Sequence, residues 1–125
     1  MSLEKTDGKI NNFKDLRIWR QGMDLVQEIY AITKNFPPQE VYGLTAQMRR
    51  AAVSVPSNIA EGFRRKHSRE YRQFLATALG SCGELETQVE IAKRLGYLPL
   101  DNAKALIDQI ESICKMTQTL MKRLF

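Results

Sequence analysis

The stretch Gly43 to Gly62, GLTAQMRRAAVSVPSNIAEG, decides the fold. Its apolar residues Leu44, Met48, Ala51, Val55 and Ile59 recur at three- and four-residue spacing, which keeps one face of a helix dry. Pro56 interrupts the pattern chemically but not periodically. It removes one backbone N–H and presses on the carbonyl of Ala52, at a cost of about 3 kcal/mol in an unsupported helix. Because the apolar spacing runs through the proline without a slip, the sequence predicts one helix bent at Pro56, from near Gln39 to near Phe63. Gly62 is expected to supply a left-handed stop at its end. The small residues Ala51, Ala52, Ser54 and Ser57 around the proline let a neighbouring helix come close.

Upstream, residues 1–11 read as a flexible tail. Asn12 is placed to cap a first helix, with Asp15 favouring its N-terminus. Leu16, Trp19, Met23, Val26 and Tyr30 form its leading stripe, and Ile18, Leu25, Ile29, Ile32 and Phe36 a flanking row. So wide an apolar surface predicts more than one neighbour, and Ile18, Trp19 and Ile29 are candidates for contacts between subunits. Pro37-Pro38 ends the helix.

Downstream, a basic link precedes Ser68, a candidate cap with Glu70 in the following turn. A third helix carries Tyr71, Phe74 or Leu75, Ala78, Cys82, Leu85, Val89 and Ala92 on one side, and closes at Gly96 before Pro99. Asp101 is placed to cap a fourth, with Ala103, Leu106, Ile110, Ile113, Thr117, Leu120 and Leu124 inward. Short links between long amphipathic helices predict an all-α, antiparallel up-down-up-down four-helix bundle, one domain over residues 12–125.

That topology predicts heights. Folding the second and third helices about Lys66 brings Arg49 near Glu84 and Glu61 near Arg72. Pro56 falls opposite Thr77, so the bend is expected to pack against the small run Gly80–Gly83. Cys82 and Cys114 fall at one level. Reduced, buried thiols in one core layer are the preferred reading, because cytosolic thiols stay reduced; a redox pair is the alternative.

Composition limits the chemistry. The chain has 125 residues, a net charge of +5, two cysteines and one histidine, His67. A lone histidine in a basic link offers no His-pair metal site, and there is no phosphate-cradling glycine loop. Glu84, Glu86 and Glu90 read as a solvated or salt-bridged face rather than a di-metal site, which wants Glu-x-x-His motifs. No enzyme activity, metal or cofactor is expected. The start of the chain lacks the apolar centre of a signal peptide and no run is long enough to span a membrane, so the expected location is the cytoplasm.

Arg64, Arg65, Lys66, Arg69 and Arg72 cluster within nine positions and would form a positive cap at one end of the bundle. Arginines contact phosphates bidentately and release counterions, so these five are the candidate nucleic-acid contacts. No aromatic stacking platform accompanies the run, so base reading is not expected. Arg49 and Arg50 sit beside the core stripe. They either pair with acids such as Glu84, the preferred reading, or reach a phosphate.

YGLTAQMRRAAVSVPSNIAEG, then FLATALGSCGELETQ from Phe74 and LGYL from Leu95, with Phe13, Asp15, Leu16 and Trp19 at the start, carry a resemblance. The chain resembles bacterial four-helix-bundle proteins encoded in 23S ribosomal-RNA intervening sequences. It is also similar to the accessory variability proteins of diversity-generating retroelements. The resemblance implies a ring-shaped homopentamer and a nucleic-acid partner, RNA ahead of DNA, without a settled activity. A basic patch repeated by symmetry would bind through effective concentration. In the retroelement relatives it implies a reverse-transcriptase partner, so a protein–protein adaptor without nucleic-acid binding is the competing reading.

Overall fold

The structure, a computed structural model, describes residues 10–124. A 3-10 turn at Phe13–Asp15 leads into α1 (Arg17–Thr33). A second 3-10 turn at Pro38–Glu40 precedes α2 (Leu44–Phe63), and α3 (Ser68–Arg94) and α4 (Leu100–Lys122) follow. Each helix packs on its successor, and α1 closes the square against α4. The expected all-α four-helix architecture is present, with no strand among the described residues.

The entry into α1 is tighter than expected. Asn12 Oδ1 accepts the backbone N–H of Lys14 at 2.8 Å, so it caps the 3-10 turn and not α1 itself. Arg20 Nη1 donates to the carbonyl oxygens of Lys14 and Asp15 at 3.2 and 2.8 Å, tying the turn to the helix. Ile10 packs on the core, and the Asn11 N–H donates to Asp15 Oδ2 at 3.0 Å. These two residues therefore belong to the bundle; the rest of the expected tail, residues 1–9, lies outside the described residues.

The inner face of α1 is the row taken above as the flank. Ile18, Leu25 and Ile29 are wholly buried, whereas Met23 and Tyr30 are 40% and 41% exposed. Gly22 and Thr33 complete the inner row, and these two small or polar members disguise it in the sequence. Gly22 is there for a reason. A methyl group on it would stand 3.3 Å from Pro56 Cβ and 3.4 Å from Pro56 Cδ. The bulk of the proline ring thus fits against the one α1 residue without a side chain.

α2 is continuous through Pro56. The proline does not pack on Gly80–Gly83, as the register had suggested. Gly80 and Gly83 face outward, with nothing within 4 Å of where a methyl group would stand. The close approach of α2 and α3 comes from Ser54 and Ser81, whose hydroxyls share a hydrogen bond of 2.7 Å, and from Gly62. A methyl group on Gly62 would meet Phe74 Cβ at 2.8 Å and the Tyr71 ring at 3.0 Å. Gly62 is therefore a helical packing residue and not the expected left-handed stop; among the described residues only Gly96 has positive φ, at 76°.

Gly96 ends α3 as expected. Its N–H donates to Lys93 O at 3.0 Å, and that of Tyr97 to Ala92 O at 2.9 Å, satisfying two orphan carbonyls. The other caps differ from expectation. Ser68 is already helical behind His67, and Asp101 lies in the first turn of α4 behind Pro99; neither start has a side-chain cap bond. The start of α2 is capped from a distance, by Glu40 Oε1 accepting the Leu44 N–H at 3.0 Å.

Candidate nucleic-acid interface

The end of the bundle where α2 hands over to α3 gathers the basic run. Arg64, Arg65, Lys66, His67, Arg69 and Arg72 are all exposed there. Their environments differ. Arg65 Nη2 is bonded to Glu61 Oε2 at 2.8 Å, and its guanidinium lies over the Phe74 ring, 4.8 Å from the centroid. This is a helical i, i+4 pairing. Arg64 lies over the Phe13 ring at 5.3 Å and has no carboxylate within ion-pair distance among the described residues. Lys66 and Arg69 likewise have no ion pair among the described residues.

Aromatic rings underlie Arg64 and Arg65, contrary to the sequence expectation. Phe13 meets Trp19 edge-on at 5.3 Å and 65°, and Phe63 meets Tyr71 at 6.1 Å and 87°. Asn11, Asn12, Phe13, Phe63 and Arg64 line an open groove of about 310 Å³. Phe13 and Arg64 are 51 positions apart by their numbers, so the linear run of charges gave no sign of the ring beneath it.

Arg49 and Arg50 separate. Arg49 Nε donates to Thr33 Oγ1 at 2.9 Å, Nη2 to Tyr30 O at 3.4 Å, and its guanidinium covers the Tyr30 ring at 4.5 Å. It is half-buried and held by α1 rather than by Glu84. Arg50 is the one that shares a groove with Glu84, lined also by Gln47, Ser54 and Ser81. Neither arginine makes the carboxylate pair that the sequence preferred, among the described residues. Consecutive residues point about 100° apart on a helix, and α2 lies between α1 and α3, so neighbours serve opposite partners.

The proposed subunit contacts need correction. Ile18 and Ile29 are 0% exposed within the single chain and cannot meet another subunit. Trp19 is half-buried and lines a groove of about 350 Å³ with Met23, Val26, Val53 and Pro56, almost wholly apolar.

Cys82 and Cys114 are neighbours, as the heights predicted, and neither is in a disulfide. Only Cys82 is fully buried; Cys114 is partly buried against the core, where two buried thiols were expected. Donation from Cys82 to the Cys114 sulfur raises the Cys82 thiol, which burial raises further, and lowers Cys114. Glu90 pairs with Lys93 at 3.0 Å and Arg94 at 3.5 Å, and the Lys93 ammonium beside it is the main cause of its lowered pKa. Among the described residues no helix is long and apolar enough to cross a membrane.

A helical bundle with a basic, aromatic-backed end is the class these observations define. Within it, the family model described as 23S rRNA-intervening sequence protein matches residues 14–119. The chain belongs to that family. A solved structure of similar fold is a protein of unknown function from the S23 ribosomal protein family of Bacteroides thetaiotaomicron. It is 19% identical at a TM-score of 0.76, over 84% of this chain and 98% of that one. No curated protein matches the chain.

Proposed function

We propose that the protein is a non-catalytic, ring-forming scaffold that binds structured nucleic acid, RNA before DNA, through backbone phosphates. The observation that carries this reading is the set of exposed cations at one end, of which Arg64, Lys66 and Arg69 have no carboxylate partner among the described residues. Cations left to solvent keep their full charge for a polyanion, whereas paired ones have spent much of it. Arg65 and Arg72 extend the patch. Membership of a family described by an rRNA intervening sequence agrees with an RNA partner.

Assembly is the second half of the proposal. The apolar groove of Trp19, Met23, Val26 and Val53 is where a second copy would dock. Five copies are what the family resemblance implies, and each would add its basic end to a collar. The same groove supports the competing reading, a protein–protein adaptor whose partner, by the retroelement resemblance, would be a reverse transcriptase.

The test is a salt series with structured RNA and duplex DNA, the assembly mass being recorded in each buffer. Binding should weaken steeply with salt. Replacing Arg64, Arg65 and Arg69 by Ala should flatten the slope of log K against log salt by about 2–3, at about 0.7–0.9 per lost phosphate contact, without changing the mass. An intact assembly that binds neither nucleic acid at low salt overturns the reading in favour of the adaptor.

A further inference from the structure

Four exposed cations of the basic end make different local contacts, and the differences select one of them. Arg65 is committed twice, to the Glu61 carboxylate and to the Phe74 ring. Lys66 and Arg69 have neither carboxylate nor ring among the described residues, which suits a mobile phosphate contact. Of these four, Arg64 alone combines an aromatic bed with a guanidinium that has no carboxylate partner among the described residues. A guanidinium lying over a ring presents a second flat face, and unpaired bases stack on such planes.

The support beneath Arg64 is held by several contacts. Phe13 is fixed by the edge of Trp19. The turn that carries Phe13 is held by the Asn12 cap and by the two bonds from Arg20. The groove alongside, about 310 Å³ and lined by Asn11, Asn12 and Phe63, is mostly polar. A nucleobase needs that combination: a plane for its face and amide groups that donate and accept at its edge. A phosphate needs only the charge.

We propose that the groove between the Phe13 turn and the end of α2 is a site for an unpaired nucleobase, stacked on the guanidinium of Arg64 that Phe13 backs. This rests on the nucleic-acid reading above and names the part of the ligand that this groove takes. It makes looped or single-stranded segments the preferred targets over continuous duplex, because a paired base cannot leave its stack to enter the groove.

Arg64→Lys separates the two roles, since lysine keeps the charge and loses the plane. Binding of the assembled protein would be measured for a short adenine-rich single strand carrying 2-aminopurine and for a blunt duplex of equal length, both as RNA, with a DNA single strand in parallel. Arg64→Lys should weaken the single strands on the order of five- to a hundredfold, the effect of losing one stacked base, and leave the duplex within about twofold. Quenching of 2-aminopurine on binding, present with the parent, should be lost. Phe13→Leu should act in the same direction, with unchanged circular dichroism confirming that the bundle is intact. Parent-like single-strand binding with quenching retained overturns the base site and leaves the phosphate reading standing. Equal losses on strand and duplex also overturn it, making Arg64 a phosphate contact. A parent that binds neither probe at low salt removes the underlying reading instead.

Discussion

The two ends of the bundle carry similar kinds of residues and use them oppositely. At the α1–α2 turn, Glu40 accepts the Leu44 N–H through one oxygen and the Tyr97 hydroxyl, at 2.9 Å, through the other. Tyr97 in turn packs on Phe36, 5.4 Å between centroids. One carboxylate there caps a helix and fastens the α3–α4 turn to the α1–α2 turn, 57 residues apart. At the opposite end, between α2 and α3, arginines lie over Phe13 and Phe74; Arg65 meets a carboxylate, whereas Arg64 and Arg69 meet none among the described residues. The first end is electrostatically closed and the second is open. Closure serves the fold; openness leaves charge for a partner.

The comparison breaks most readily at Gly62. This glycine lets the start of α3 lie against the end of α2 directly beneath the basic run. Gly62→Leu should overpack the contact with Tyr71 and Phe74 and cost about 1–3 kcal/mol in urea unfolding. It should also disturb nucleic-acid binding, because it moves Phe74, the ring under Arg65. A fully stable variant would mean that the two helices can part without cost, and the account of Gly62 would fail.

Gly80 sharpens the comparison by belonging to neither end. Its outward face is empty, so Gly80→Ala should add about 1 kcal/mol by helix propensity alone and leave binding untouched. A loss of stability would return Gly80 to the close crossing that the sequence suggested.

The smallest expected effect is at the closed end. The Leu44 N–H, and secondarily the Tyr97 hydroxyl, lower the pKa of Glu40, and Glu40 raises that of Tyr97. A carboxylate lowered on folding contributes stability above its unfolded-chain pKa, and that contribution is lost as pH falls through the folded value. A phenol raised on folding contributes below its unfolded pKa and loses the contribution as pH rises through the folded one. Glu40→Gln should therefore lower Tm slightly at neutral pH and reduce the acid-side slope of Tm. RNA binding should not change. An unaltered acid-side slope would show that the Glu40–Tyr97 contact is dispensable.

Much of the fold was legible because helix periodicity is a local property. The stripe Met48, Ala51, Val55 and Ile59, the run Ala78, Cys82, Leu85, Val89 and Ala92, and the stop at Gly96 all follow from residues within a few positions of one another. Where two apolar rows competed, on α1, periodicity could not choose. The row with Gly22 and Thr33 looked interrupted, yet it is the inner one, because Pro56 needs the space above Gly22 and Arg49 needs the hydroxyl of Thr33.

The candidate site divides in the same way. The sequence alone determined four helices, their order, the family resemblance and the clustering of Arg64, Arg65, Lys66, Arg69 and Arg72 at one end, since charge runs and helix links are written in consecutive residues. Only the tertiary structure decided which arginine is paired, that Arg49 faces α1, that Gly62 and Gly22 are the close contacts, and that Phe13 lies beneath Arg64. Each of these is a meeting of side chains from different elements, fixed by how the helices pack and rotate against one another, and no local spacing encodes that.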